Sequence, residues 1–166
     1  MSRTRTSPLT LWITLLVALA LTAIPLPEVL RTVRPSWLTL AVIYWAMMWP
    51  RRAGVGTACI AGLLLDVMQG SLLGQHALSL SIVAYLTLKF HLQIRIFPLW
   101  QLTMTVLALL AADTFIVFWV DGIAGYPTHG IARWAQVVTG AALWPPVMAI
   151  FDRIRYRAET RSTAFV

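Results

Sequence analysis

The chain has 166 residues, of which 59% are hydrophobic and only 11% are charged, and its formal net charge at pH 7 is +7. Soluble domains carry about 25% charged residues, so this composition excludes an ordinary soluble protein and indicates an integral membrane protein. The positive charge does not indicate nucleic-acid binding, because the basic residues stand at the ends of apolar blocks rather than along one polar face. The single cysteine, Cys59, excludes a disulfide framework and a thiol metal cluster.

The first apolar block covers residues 9–24, follows a basic and polar start, and ends at Pro25. We predict the first membrane span here. A secretory signal peptide is the alternative, with Ala18-Leu19-Ala20 as its cleavage site. The block is, however, longer than the usual apolar signal core of about 7–15 residues.

Five further apolar blocks predict membrane spans that are separated by polar, proline-rich or glycine-rich connections. They cover residues 37–49, 53–69, 76–90, 99–120 and 131–150. Polar residues between Lys89 and Arg95 predict a connection that ends at Pro98, and three glycines and a proline predict a loop over 121–130. In the last block, the Pro145-Pro146 pair predicts a kink or the end of the regular helix.

The basic residues are distributed unequally between the two sides of the predicted spans. The termini and the connections on their side hold ten Lys and Arg residues, and the other connections hold three. The positive-inside rule therefore predicts six spans with both termini in the cytoplasm, or five if the first block is cleaved. The predicted fold class is all-α and integral to the membrane, with a six-helix transmembrane domain at residues 1–152 and a basic cytoplasmic tail at residues 153–166.

A small or acidic residue recurs at every fourth position of the third predicted span and the turn after it. These residues are Gly54, Ala58, Gly62, Asp66, Gly70 and Gly74. Residues four apart share one face of a helix, and small residues on such a face let helices pack closely in a bilayer. We predict that the first four form a seam and that the glycines beyond Asp66 loosen the helix into a turn.

Two acidic residues, Asp66 and Asp113, are predicted near the outer ends of their spans. A carboxylate inside a membrane needs a partner, so we predict that Asp66 faces protein; an aspartate at the water interface that merely ends the span is the alternative. We further predict that at least one of the two acids pairs with a basic residue on the outer side. Those basic residues are Arg31, Arg34 and Arg133.

The sequence contains few residues that could serve catalysis or ion transport. A proton or ion relay could use the buried acids, but no chain of acids or histidines joins the two faces, and His76 is predicted to be a satisfied polar residue. The chain has no nucleophile–base–acid spacing, no H-E-x-x-H, no glycine-rich phosphate loop and no paired metal ligands. We therefore predict a protein that is not an enzyme, has no cofactor, and presents helix faces to partners in the membrane.

Several blocks of the sequence resemble the MreD family of rod shape-determining membrane proteins, in order and over nearly the whole chain. The most specific block is Gly62–Gly74, which reads G-L-L-L-D-V-M-Q-G-S-L-L-G. Supporting blocks are Arg34-Pro35-Ser36-Trp37, Tyr44-Trp45, Pro50-Arg51-Arg52, Gly54-Val55-Gly56, Ala84-Tyr85-Leu86, Leu99-Trp100-Gln101, Phe118-Trp119 and Leu143-Trp144-Pro145.

The resemblance implies a protein of the bacterial inner membrane that serves the cell-elongation machinery without catalytic activity. It implies MreC as the partner, with RodA, a class B penicillin-binding transpeptidase, MreB and RodZ in the same assembly. Residues that match the family motifs are implied to set the fold and the partner geometry: Gly62, Asp66, Gly70 and Gly74, and Arg34, Pro35 and Trp37 before the second span. The family fold is similar to the substrate-binding subunits of energy-coupling-factor vitamin transporters, so a small-molecule-binding membrane subunit is the alternative function.

Overall fold

The computed structural model describes residues 8–24, 34–125 and 132–163. Within these ranges the chain forms seven α-helices and no strand, which confirms the all-α prediction. The helices are α1 (Pro8–Ala23), α2 (Trp37–Met48), α3 (Val55–Gln69), α4 (Gln75–Ile96), α5 (Leu99–Ala124), α6 (Ala132–Ala142) and α7 (Trp144–Thr163).

Two or three membrane spans follow from helix length and composition. α4 and α5, with 22 and 26 residues, are each long and apolar enough to cross a membrane. α6 and α7 meet at a bend of 56° and satisfy the same criteria as a pair. α1, α2 and α3 are apolar but shorter. The described part of the chain therefore contains two helices that are long and apolar enough to cross a membrane, or three if the bent pair forms one span.

Helix α2 forms the centre of the bundle. Every residue from Leu38 to Met47 is buried, and α2 packs against α1, α4, α5 and α7. A helix that is apolar on all sides is expected to be enclosed by other helices. Its 12 residues extend only about 18 Å at about 1.5 Å per residue, so this short helix serves as the core for the longer ones.

Two predicted connections begin too early in the sequence. α4 continues past residue 90 to Ile96, and α5 continues past residue 120 to Ala124. Both predicted helix ends are wrong because exposed polar residues in the last turns of a helix do not interrupt its backbone hydrogen bonds. The residues that do end these helices are Pro98, which follows α4, and Gly125, which caps α5 in a left-handed conformation at φ 75°.

The predicted kink in the last block is confirmed by the break between α6 and α7 at Leu143. Pro145 and Pro146 lie in the first turn of α7, where a missing backbone N–H costs no intrahelical hydrogen bond. α7 then continues without interruption to Thr163. The predicted boundary between the transmembrane domain and the tail, at residues 152 and 153, thus lies inside one helix.

Candidate functional site

The predicted seam lies on the buried face of α3. Ala58, Gly62 and Asp66 are all buried. At Gly62 the two backbones touch, because a Cβ added there would lie 2.4 Å from the Cα atom and 2.5 Å from the nitrogen of Ala77 in α4. Only a glycine fits at this position, so Gly62 sets the distance between α3 and α4.

The ends of the seam have different roles. Gly54 is the residue before α3 and has open space around it, so it makes no close helix contact. Gly70 and Gly74 have φ angles of 63° and 99°, in the left-handed region that favours glycine. α3 ends at Gln69, so the prediction that these glycines turn the chain is confirmed.

A second buried row accompanies the seam and was not part of the predicted pattern. Ala61 and Leu65 are buried beside Gly62 and Asp66. The buried face of a helix includes residues at both three-residue and four-residue spacing. The predicted pattern used only the four-residue spacing and therefore missed Ala61, three residues after Ala58, and Leu65, three residues after Gly62.

Asp66 supplies the N-terminal cap of the neighbouring helix. Its side chain is fully buried, and its Oδ2 accepts hydrogen bonds from the backbone N–H groups of Gly74 (2.9 Å) and Ala77 (3.4 Å). Its Oδ1 accepts the N–H of His76 at 3.0 Å. The first N–H groups of a helix have no intrahelical acceptor, and Gly74 has no side chain to cap them. The carboxylate of α3 therefore caps α4, where the helix dipole also favours negative charge.

Two side chains complete the surroundings of Asp66. Ser71 Oγ donates a hydrogen bond to Asp66 Oδ1 (2.9 Å), and His76 Nδ1 lies 2.7 Å from the same oxygen. Ser71 Oγ also lies 3.4 Å from His76 Nδ1. A serine hydrolase needs its serine at one ring nitrogen and its carboxylate at the other, whereas here both contact Nδ1. The cluster therefore contains the three residue types of a catalytic triad but not its geometry. His76 has hydrogen-bond partners within the protein, as predicted.

Asp113 joins three helices in the interior of the bundle. Its Oδ2 accepts a hydrogen bond from Thr39 Oγ1 of α2 at 2.8 Å, and its Oδ1 accepts one from Ser79 Oγ of α4. All three residues are buried. Thr39 and Ser79 were not among the predicted site residues, although hydroxyl side chains inside apolar blocks are the sequence signal for such a partner.

The predicted pairing of these acids with arginine is wrong for the described part of the chain. There, neither Asp66 nor Asp113 forms an ion pair with an arginine, while Arg133 pairs with Asp121 at 2.6 Å. Arg31 lies outside the described residues. Backbone N–H and hydroxyl groups contact both acids instead, together with the His76 ring at Asp66, and such donors stabilise a buried carboxylate without an arginine.

Arg34, Pro35 and Trp37 link the end of α1 to the start of α2. Arg34 donates hydrogen bonds to the backbone carbonyls of Ile24 (2.8 Å) and Leu21, at the C-terminal end of α1 where a positive charge is favourable. Pro35 lies near Gly140 of α6, and Trp37 is the first residue of α2 and packs against the core. The structure thus gives this block a role in helix arrangement.

The different chemistry around the two aspartates gives a prediction for Asp113. Hydroxyl groups both donate and accept, so an amide in Asp113→Asn can keep both contacts, and we expect a loss of about 1 kcal/mol or less. Asp113→Leu leaves the buried hydroxyl of Thr39 without its acceptor, whereas Ser79 Oγ keeps the backbone carbonyl of residue 113 at 3.2 Å, and we expect a loss of about 1–3 kcal/mol. Thermal unfolding of both variants in the same detergent measures the difference. Equal melting temperatures would contradict the bonding described for Asp113.

Within the described ranges, no group of three His, Cys, Asp or Glu side chains is placed to hold a metal ion.

The sequence model for rod shape-determining protein MreD matches residues 2–154. The chain is also 30% identical over 156 residues to rod shape-determining protein MreD of Haemophilus influenzae, covering 89% of this chain and 94% of that protein. No solved structure gives a significant match. These two matches show that the chain belongs to the MreD family of rod shape-determining membrane proteins.

Proposed function

We propose that the chain is a non-enzymatic component of the cell-elongation machinery in the bacterial inner membrane. In this role it binds MreC and helps couple cell-wall synthesis to the maintenance of rod shape. RodA, a class B penicillin-binding transpeptidase, MreB and RodZ are then members of the same assembly. Membership in a rod shape-determining family supports the role in cell shape.

The observation that carries the proposal is the use of both membrane acids for holding helices together. Asp66 accepts hydrogen bonds from backbone N–H groups at the start of α4, and Asp113 accepts them from the hydroxyls of Thr39 and Ser79. A carboxylate that serves catalysis or ion transport must face a substrate or a water-filled path. Carboxylates that instead fix the angles between helices are typical of a structural protein that binds partner proteins through its surface.

A six-span arrangement with both termini in the cytoplasm is part of this proposal. Besides the charge distribution, the exposed faces of the shorter helices support it, because large apolar side chains on them need lipid or a partner rather than water. On α1 these are Leu9, Ile13, Leu16 and Val17, and on α3 they are Ile60, Leu64, Val67 and Met68.

The alternative of a vitamin-binding subunit requires a pocket of about 300 Å³ or more. α1, α2 and α3 form an apolar crevice between Trp12, Leu38 and Ala61. Its cavity volume is ≈ 10 Å³, which is about the size of one water molecule. This crevice therefore gives the vitamin-binding function no support.

Affinity purification in a mild detergent tests the proposed partner. The tagged protein is expressed in a rod-shaped bacterium from which its own MreD has been deleted, and the eluate is analysed for both proteins and small molecules. We expect restored rod shape and recovery of MreC, and no MreC with an unrelated six-span membrane protein expressed at the same level. Round cells, or a stoichiometric small molecule without MreC, would overturn the proposal.

A further inference from the structure

Helix α7 is fixed to the C-terminal end of α2 by side chains that are far apart in the sequence. The hydroxyl of Tyr44 in α2 donates a hydrogen bond to Asp152 Oδ1 of α7 at 2.6 Å. The Tyr44 ring stacks on Phe151 with its centroid 4.9 Å away, and Arg155 Nη1 donates to the sulfur of Met48 at 3.2 Å. These contacts determine which part of α7 lies next to the α2–α3 turn.

Basic residues from two segments meet at this end of the bundle. The turn Pro50-Arg51-Arg52 follows Met48 almost directly, and both of its arginines are exposed. Arg155 of α7 contacts Met48 and therefore lies beside this turn. The surface formed by Arg51, Arg52 and Arg155 is called the arginine patch below.

Among the described side chains, the arginine patch has more positive charge and more hydrogen-bond donors than its neighbours satisfy. Asp152 is the acid beside it, and this carboxylate is shared between Tyr44 and Arg155, whose Nη2 is 3.4 Å away. Arg155 also donates to a thioether, which is a weak acceptor, and its buried Nε has no acceptor among the described residues. A ligand with several anionic oxygens would complement this arrangement, and phosphate is the group that guanidinium binds best.

Aromatic side chains lie next to two arginines of the arginine patch. Arg52 lies over the ring of Trp49 at 4.9 Å, and Arg155 lies beside the ring of Tyr156 at 5.6 Å. Tryptophan and tyrosine are enriched at membrane–water interfaces, and arginine clusters next to a membrane helix attract anionic lipids. We propose that the arginine patch binds the phosphate groups of an anionic phospholipid. This binding is independent of the proposed interaction with MreC.

Lipid retention by the full-length protein tests this inference. The protein is reconstituted in phosphatidylcholine mixed with cardiolipin, extracted, and analysed by native mass spectrometry for lipids that remain bound. We expect cardiolipin to be retained in preference to phosphatidylcholine. Arg51→Gln with Arg52→Gln should weaken the retention by about 25-fold, because each basic residue near an anionic surface contributes about fivefold to the binding constant.

A second double variant provides the matched control. Lys89→Gln with Arg95→Gln removes the same two charges from exposed positions near the end of α4, outside the arginine patch. We expect this variant to retain cardiolipin like the unmodified protein. Equal losses in the two double variants would show that only net charge matters and would overturn the inference. So would a protein that retains the two lipids equally, which would leave an acidic protein partner as the ligand of this surface.

Discussion

Gly62→Ala is expected to destabilise the protein by about 3 kcal/mol, at the upper end of the usual cost of overpacking, although it adds only one methyl group. The added carbon would lie 2.4 Å from the Cα atom of Ala77, and a backbone atom cannot move aside as a flexible side chain can. α3 and α4 must then separate along the seam, and the bonds between Asp66 and the first turn of α4 must lengthen. Thermal unfolding in detergent measures the loss, and cell shape after complementation measures its consequence.

Gly56→Ala is the matched control for this experiment. It makes the same substitution in the same helix, but nothing lies within 4 Å of the added carbon. Alanine is favoured over glycine in a helix by up to about 1 kcal/mol, so this variant should be as stable as the unmodified protein or slightly more stable. A Gly62→Ala protein that unfolds at the temperature of Gly56→Ala would show that α3 and α4 do not touch at Gly62.

The seam could be predicted from the sequence because its signal is local. Small residues at four-residue spacing determine one face of α3, whatever that face contacts, and the glycines after Asp66 mark a turn by their conformational freedom. The length of α2 is also visible in the sequence. Its central position is not, because a block that is apolar on all sides looks the same whether lipid or protein surrounds it.

The partners of the acids could not be predicted because they depend on where helices begin in three dimensions. The prediction that Asp66 or Asp113 pairs with an arginine considers only the formal charges on one side of the membrane. The first N–H groups of α4 together carry about half a positive charge, but they have this role only because α4 begins at Gln75, beside Asp66. Sequence periodicity does not determine a helix start to one residue, and a shift of one residue would move a different N–H group to the carboxylate.

Asp66→Asn is expected to have the second large effect, and its size follows from the donors around the carboxylate. Backbone N–H groups lie at both oxygens, with Gly74 and Ala77 at Oδ2 and His76 at Oδ1. Whichever oxygen becomes an NH₂ group, at least one N–H of α4 faces another donor. We expect a loss of about 3 kcal/mol, from about 1–3 for each unsatisfied buried donor and a further share for the charge removed from the helix N-terminus.

Asp113→Asn makes the same chemical change at the other buried aspartate and is therefore the control for Asp66→Asn. The hydroxyls of Thr39 and Ser79 can turn to accept hydrogen bonds from an amide, whereas a backbone N–H cannot. We expect Asp66→Asn to lower the melting temperature by more than Asp113→Asn, and to impair rod shape when both variants are expressed equally. The opposite order would mean that the first turn of α4 has another acceptor, and that Asp66 is not what holds α3 and α4 together.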